Sequence, residues 1–151
     1  MLALLIAAAV QTAAPPPADA EDKAVLATAQ AFFDGFEKSD VAAMRATLLP
    51  NAQLMSLTSR PDGQTALRRF GFEETFGTKP PSGAKEWMWS PVIIRRGGLA
   101  TVSAPYELSI NGKSIHCGLD VFTLVKADGA WKIASISWTA EPDACPEIRK
   151  M

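Results

Sequence analysis

Side chains suited to proton chemistry gather between Tyr106 and Asp120. His116 and Tyr106 are the only residues of their kind in the 151-residue chain, and Cys117 is one of two cysteines. Glu107 and Asp120 add carboxyls. An imidazole and a carboxyl can pass a proton to and from a bound molecule, while a phenol can donate a hydrogen bond to an oxygen that gains charge. His116 beside Cys117 could suggest a thiol–imidazole pair, but neighbouring strand residues point to opposite faces, so the two do not form a dyad readily. One histidine without a Cys/His/Asp set at ligand spacing argues against a zinc centre. No Gly-rich loop opens a helix, and there is no Gly-x-Ser-x-Gly elbow. Neither a metal nor a cofactor is expected.

These residues sit in a region that reads as a β-meander. Turn dipeptides at Gly97-Gly98, Asn111-Gly112 and Asp128-Gly129 divide it into four strands. Upstream the apolar period is helical. Val25, Ala29, Phe32, Phe33 and Phe36 share one face, with Glu21 and Asp22 suited to the positive end of the helix dipole. Ser39-Asp40 breaks that helix and caps a second, with Val41, Met44 and Leu48 inward and Pro50 beyond its end. Ala52 to Leu57 suits a short strand. A loop at Arg60-Pro61-Asp62-Gly63 precedes a third, weaker helix over roughly 64–76, and Pro80-Pro81 marks another loop. The class is α+β: N-terminal helices on a curved antiparallel sheet.

If every hairpin closes on a two-residue turn, counting outward sets the register. Leu108 then faces Ile115, Tyr106 faces Cys117, Glu107 faces His116, Trp89 faces Tyr106, Trp87 faces Leu108, and Leu119 faces Trp138. One face collects Trp87, Trp89, Ile93, Val102, Tyr106, Leu108, Cys117, Leu119, Val121, Ile136 and Trp138. The other holds Glu86, Glu107, His116 and Asp120, with an apolar zone of Val92, Ile94, Phe122, Leu124 and Ile133. On this count the chemical residues point outward, and Glu107 opposite His116 reads as a surface ion pair. A β-bulge between Gly112 and Asp120 would reverse that, because one extra residue flips everything beyond it. Asp34 and Glu37 flank the inward helix face and read as a solvated edge.

The first residues, LALLIAAAV, form an apolar run too short to span a bilayer as an anchor. Pro15 to Pro17 follow, and Ala18-Asp19-Ala20 has the small-x-small form of a cleavage site. The expectation is an export signal over 1–20 and one mature domain over 21–151, with a secreted or periplasmic location. Basic residues number 15 and acidic residues 16; removing Asp19 balances them. A neutral chain without a Lys/Arg stripe lacks the footprint for nucleic acid or an anionic membrane. In an oxidising compartment, Cys117 and Cys145 are expected to form a disulfide tying the tail to the sheet.

Helix, helix, strand, helix and meander, with AFFDGFEKSDVAAMRATLLPNAQLMS near the start and DVFTLVKADGAWKIASISWT near the end, resemble the nuclear-transport-factor-2-like superfamily. Its SnoaL-like and ketosteroid-isomerase-like members share a cone-shaped α+β fold. The resemblance covers nearly all of the mature chain and implies a pocket at the cone's open end. It also implies dimerisation through the outer sheet face, where Val92, Ile94, Phe122, Leu124 and Ile133 would lie. It fixes no activity, since the superfamily holds enzymes and pure binding modules alike.

Three functions are consistent with these readings. Phe32, Phe36, Trp87, Trp89, Tyr106, Leu108 and Trp138 either fill the cone or line an apolar pocket for a small hydrophobic molecule, the favoured reading. The alternative is an acid–base isomerase or dehydratase, with His116 or Asp120 as base and Tyr106 as donor, provided a bulge turns them inward. The third is a protein-interaction module working through the outer patch.

Overall fold

The computed structural model describes residues 20–60, 62–77 and 82–151. The expected export segment thus lies outside the described residues, apart from Ala20 where the first helix begins. Among the described residues, no helix is long and apolar enough to cross a membrane.

Helix α1 (Ala20–Glu37) buries Val25, Ala29, Phe32, Phe33 and Phe36, the stripe set by its three- and four-residue spacing. Its first turn is pinned to the sheet through charge. Glu21 accepts from Lys126 Nζ at 2.7 Å and Trp131 Nε1 at 2.9 Å, and Asp22 from Arg95 at 2.7 Å. Ser39 takes a positive φ of 54°, and Asp40 caps α2 (Val41–Ala46) by accepting from the Ala43 N–H at 2.9 Å. The two helices touch where α1 carries Gly35: a Cβ there would stand 2.8 Å from Met44 Cγ.

Seven strands follow: β1 (Leu48–Ser59), β2 (Thr65–Gly71), β3 (Ala84–Met88), β4 (Val92–Arg96), β5 (Leu99–Ile110), β6 (Lys113–Ala127) and β7 (Ala130–Ala140). They form one sheet in the order β2-β1-β7-β6-β5-β3, with β4 also on β5. The β1–β7 pair is parallel and the others antiparallel. Short helices α3 (Phe72–Phe76) and α4 (Cys145–Ile148) complete the chain. Helices against one side of a curved, unclosed sheet give the α+β cone, with the core between α1 and the concave face.

Three local expectations change. Helix α2 ends at Ala46, and Leu48 to Pro50, expected as its last turn and the residue beyond, open strand β1 instead. The third helix is mostly strand β2, because Thr65 to Gly71 pair with Ser59 to Gln53 of β1; only Phe72–Phe76 is helical. Ladder pairing outweighs a weak helical pattern. The first meander strand is also two strands, broken at Ser90-Pro91, where Ser90 has φ 46°.

The register matches the turn count close to each turn and departs from it further out. Asn111 and Gly112 both have positive φ, as do Asp128 and Gly129, which two-residue hairpin turns require. Ile110 pairs with Lys113 and Ser109 with Ser114, but Leu108 then pairs with His116. Ile115 is the extra residue. A second bulge leaves Ala134 out between Leu124–Ile133 and Thr123–Ser135. A third irregularity at Ser90-Pro91 shifts β3, so that Met88, not Trp89, meets Tyr106.

Each shift inverts the faces beyond it. His116 and Asp120 turn to the concave side, while Cys117, Leu119 and Val121 turn outward. Phe122, Leu124 and Ile133, read as an outer patch, are fully buried in the core; of that patch only Val92 and Ile94 are exposed, at 60% and 71%. Trp87 and Trp89 leave the inner face to join Glu107 and Arg149 on the outside. Glu107 does not meet His116. It pairs with Cys117 and binds Arg149, whose Nε donates at 2.8 Å, and that ion pair holds its carboxyl below the usual carboxylate range. Cys117 and Cys145 form the disulfide, across 28 positions of sequence. Closing a loop of that length is worth about 3–4 kcal/mol in the chain-entropy account.

Candidate functional site

Between α1, α3 and the concave face lies a cavity of about 300 Å³. Its walls are mainly apolar: Phe32, Phe33 and Phe36 from α1, Phe76 from α3, and Leu54, Leu108, Ile136 and Trp138 from the sheet. Four side chains able to carry or hold a proton reach it from the strands: Glu86, Tyr106, His116 and Asp120. Thr75 adds a hydroxyl. The β6 bulge brings His116 and Asp120 onto the face of Leu108, Tyr106 and Ala104, and the break at Ser90-Pro91 sets Glu86 opposite Leu108 on the same face.

Hydrogen bonding fixes the state of the Tyr106–His116 pair. The Tyr106 hydroxyl lies 2.7 Å from the Thr139 carbonyl and 3.1 Å from His116 Nδ1. A carbonyl only accepts, so the phenol proton goes to Thr139 and the phenol oxygen accepts from His116 Nδ1–H. This leaves Nε2 with its lone pair. Burial lowers the His116 pKa and keeps the ring neutral near pH 7. Burial, followed by the nearby acids Asp120, Glu86 and Glu141, raises the Tyr106 phenol far above its usual range. Tyr106 thus works as a fixed hydrogen-bonding group.

Gly118 makes that arrangement possible. It stands opposite Tyr106 on β5, and a Cβ there would come within 2.1 Å of the Thr139 carbonyl oxygen. Only a residue without a side chain leaves room for the carbonyl that Tyr106 reaches.

Asp120 and Glu86 form the acidic part of the wall. Asp120 is 1% exposed, and its Oδ2 has no hydrogen-bond partner. Desolvation raises both carboxyls, Glu86 to about 8 and Asp120 well above the ordinary range, with the Glu86 charge adding to the Asp120 shift. Two acids sharing a dry site cannot both ionise cheaply. Near neutral pH this wall therefore holds carboxylic acids beside a neutral imidazole.

Of the residues read as ligand-binding, Phe32, Phe36, Tyr106, Leu108 and Trp138 line the cavity, and Trp87 and Trp89 do not. The conditional acid–base candidates His116, Asp120 and Tyr106 all line it. Counting places Glu86 on the outer face; Pro91, which cannot donate to a ladder, is the signal that the register breaks between β3 and β4. No group of three or more His, Cys, Asp or Glu among the described residues is placed to hold a metal ion.

A helix-lined, unclosed sheet with a pocket between its layers is the architecture of the nuclear-transport-factor-2-like fold. Solved structures of the same architecture agree. An NTF2-like protein of unknown function from Shewanella baltica OS155 is 22% identical, with TM-score 0.59 over 82% of this chain and 95% of its own. A cystatin-like-fold protein of unknown function from Nostoc punctiforme PCC 73102 is 17% identical, with TM-score 0.65 over 82% and 94%. A Streptomyces avermitilis protein named as a "putative dehydratase" of the NTF2-like family is 12% identical, with TM-score 0.60 over 80% and 95%. At these identities the likeness is one of fold. No curated protein matches the chain. The chain belongs to the family described as "Putative lumazine-binding", which matches residues 20–139.

The raised carboxyls set the sign of a pH effect. Between the unfolded carboxylate pKa and the folded value near 8 for Glu86, the native state holds more protons than the unfolded one, so stability falls as pH rises. Asp120→Asn should weaken this slope and stabilise the protein by about 1–3 kcal/mol at pH 8, with a smaller gain at pH 5. Urea unfolding at both values measures it, and an equal or larger gain at pH 5 contradicts the assignment.

Proposed function

We propose that the cone binds a small, flat, mainly apolar molecule bearing a polar edge, with the apolar walls burying its body and the Glu86–Asp120 wall reading the edge. The observation that carries this reading is a 300 Å³ cavity with aromatic walls and all its titratable groups on the sheet side. Ligand sites commonly have such volumes and few, convergent polar groups. The family description names lumazine, a flat bicyclic heterocycle with polar edges, which is consistent in kind. Native mass spectrometry should find a small molecule retained by the wild type and lost from Leu108→Trp, which fills the cavity. Equal retention by a folded Leu108→Trp would place the ligand elsewhere.

A second reading, acid–base catalysis, has its own support. The β6 bulge puts a neutral imidazole with a free Nε2 and a protonated carboxyl on one cavity. Groups whose pKa values are pushed apart in this way are suited to act as base and acid. In such a reaction His116 would take a proton from carbon beside a carbonyl, and Asp120 or Glu86 would donate to the carbonyl oxygen. Deuterium uptake by 2-tetralone, followed by NMR, should then be bell-shaped in pH. It should rise as His116 loses its proton below its ordinary pKa, and fall as Glu86 ionises near 8. His116→Ala should lower the rate about 100-fold or more; a rate equal to that of buffer alone would leave binding as the only role.

We also infer an oxidising compartment and a dimer. The Cys117–Cys145 disulfide supports export, since such bonds persist outside the reducing cytosol. Intact-mass analysis of the exported form should give a chain starting at Glu21 with both thiols oxidised, and an uncut chain would oppose this. Exposed Val92 and Ile94 on the outer face support self-association. Ile94→Asp should then sediment as a monomer; identical sedimentation to the wild type removes these residues from any contact.

A further inference from the structure

We infer that the cavity selects a ligand with one positively charged nitrogen on its flat apolar body, an arylalkyl ammonium or amidinium, with Asp120 and Glu86 as its counter-ion. This deepens the binding reading and rests on it, and it requires no proton transfer to carbon.

The first observation is Asp120 Oδ2, a carboxyl oxygen without a partner among the described residues, on a side chain that is 1% exposed and lines the cavity. A buried polar atom without a partner is costly to keep. A ligand N–H satisfies it, and an ammonium brings three donors. The second observation is the sign of the wall. Two carboxyls from β3 and β6 face each other, and among the described residues no Lys or Arg lines the cavity. Near neutral pH, where burial keeps His116 uncharged, the charge that can form there is carboxylate, which repels a carboxylate or phosphate ligand and attracts a cation.

The remaining polar groups fit the same occupant. Tyr106 has spent its proton on Thr139 and accepts from His116, so it offers little to an incoming acceptor. His116 Nε2 is itself an acceptor. From the helices, the lining residues are Phe32, Phe33, Phe36, Thr75 and Phe76, none of which titrates. Aromatic walls also receive a cation better than aliphatic ones, because ring faces carry partial negative charge.

The proton balance follows directly. An ammonium enters with its proton, the acid pair releases one to solvent, and the cavity contents stay neutral. Groups that can share this titration are Glu86 on β3, Tyr106 on β5, and His116 and Asp120 on β6, with Glu141 acting on Tyr106 at a distance. Because Glu86 ionises near 8, ammonium affinity should rise about tenfold per pH unit between pH 6 and 7.5.

Calorimetric titration of the full chain with matched probes tests this: 2-naphthylmethylamine, 2-naphthylmethanol, 2-acetylnaphthalene and 2-naphthoate. The amine should bind at least tenfold more tightly than the alcohol at pH 7, with 2-naphthoate weakest. That advantage should shrink at pH 6 and vanish in both Asp120→Asn and Glu86→Gln, each checked for fold by circular dichroism. If the alcohol or ketone equals the amine, the cavity binds but the cation inference is overturned. If no probe binds, the binding reading falls and takes the inference with it. An amine preference that survives in both folded variants overturns the counter-ion assignment.

Discussion

The ladder between β5 and β6 omits one residue, Ile115, and the placement of the site's chemistry depends on that omission. With Ile115 excluded, Leu108 pairs with His116 and Ala104 with Asp120, so both chemical side chains turn toward the helices. Were Ile115 to pair, the same residues would face outward, because side chains alternate strictly along a strand. A bulge also bends the strand that carries it. One local irregularity therefore both helps curve the sheet around α1 and supplies the cavity with an imidazole and an acid. The second bulge, at Ala134, keeps β7 in step, placing Ile136 and Trp138 beside Phe122 and Asp120.

The cavity's polar wall opposes folding, and the rest of the cone compensates. Asp120 and Glu86 are held neutral by desolvation against a solvent that would ionise them. Their neighbours are aromatic. Phe33 packs edge-on to Phe122 with centroids 5.5 Å apart, and Phe76 packs on Phe32 and Phe36 at 6.0 and 5.8 Å. Apolar burial of this kind stabilises the fold by roughly 1.5–3 kcal/mol for each large side chain. The Glu21 and Asp22 bonds fix α1 at its start, well along the chain from the aromatic residues that form the cavity wall.

Composition and spacing make much of this legible, and the limits are physical. The α1 stripe, the Asp40 cap and the paired positive-φ turns are local signals, and each appears where the residues place it. Register is different, because an error of one residue propagates to the strand's end. Counting from Asn111-Gly112 holds for Ile110 and Ser109 and fails at Leu108, since nothing in Lys113-Ser114-Ile115 marks a bulge. The break before Pro91 carried a visible mark in the proline itself. Phe122 and Leu124 carry no such mark: they alternate with Val121, Thr123 and Val125, so both faces of the stretch hold apolar groups and alternation does not say which is buried.

The outer face completes the argument about register. Cys117 lies between His116 and Gly118, so whichever way Cys117 points, those two point the other way. The disulfide carries Cys117 to Cys145 at the start of α4. Arg149, just beyond α4, binds Glu107 on β5, the residue paired with Cys117. Backbone bonds between Cys117 and Glu141 close the same corner, with the Glu141 N–H donating at 2.9 Å. The disulfide and the Arg149–Glu107 pair thus hold the outward residues Cys117 and Glu107 against α4, which keeps His116 on the concave side. The tail does more than protect a sheet edge: by gripping the outward residue of β6, it fixes the inward residues that face the cavity.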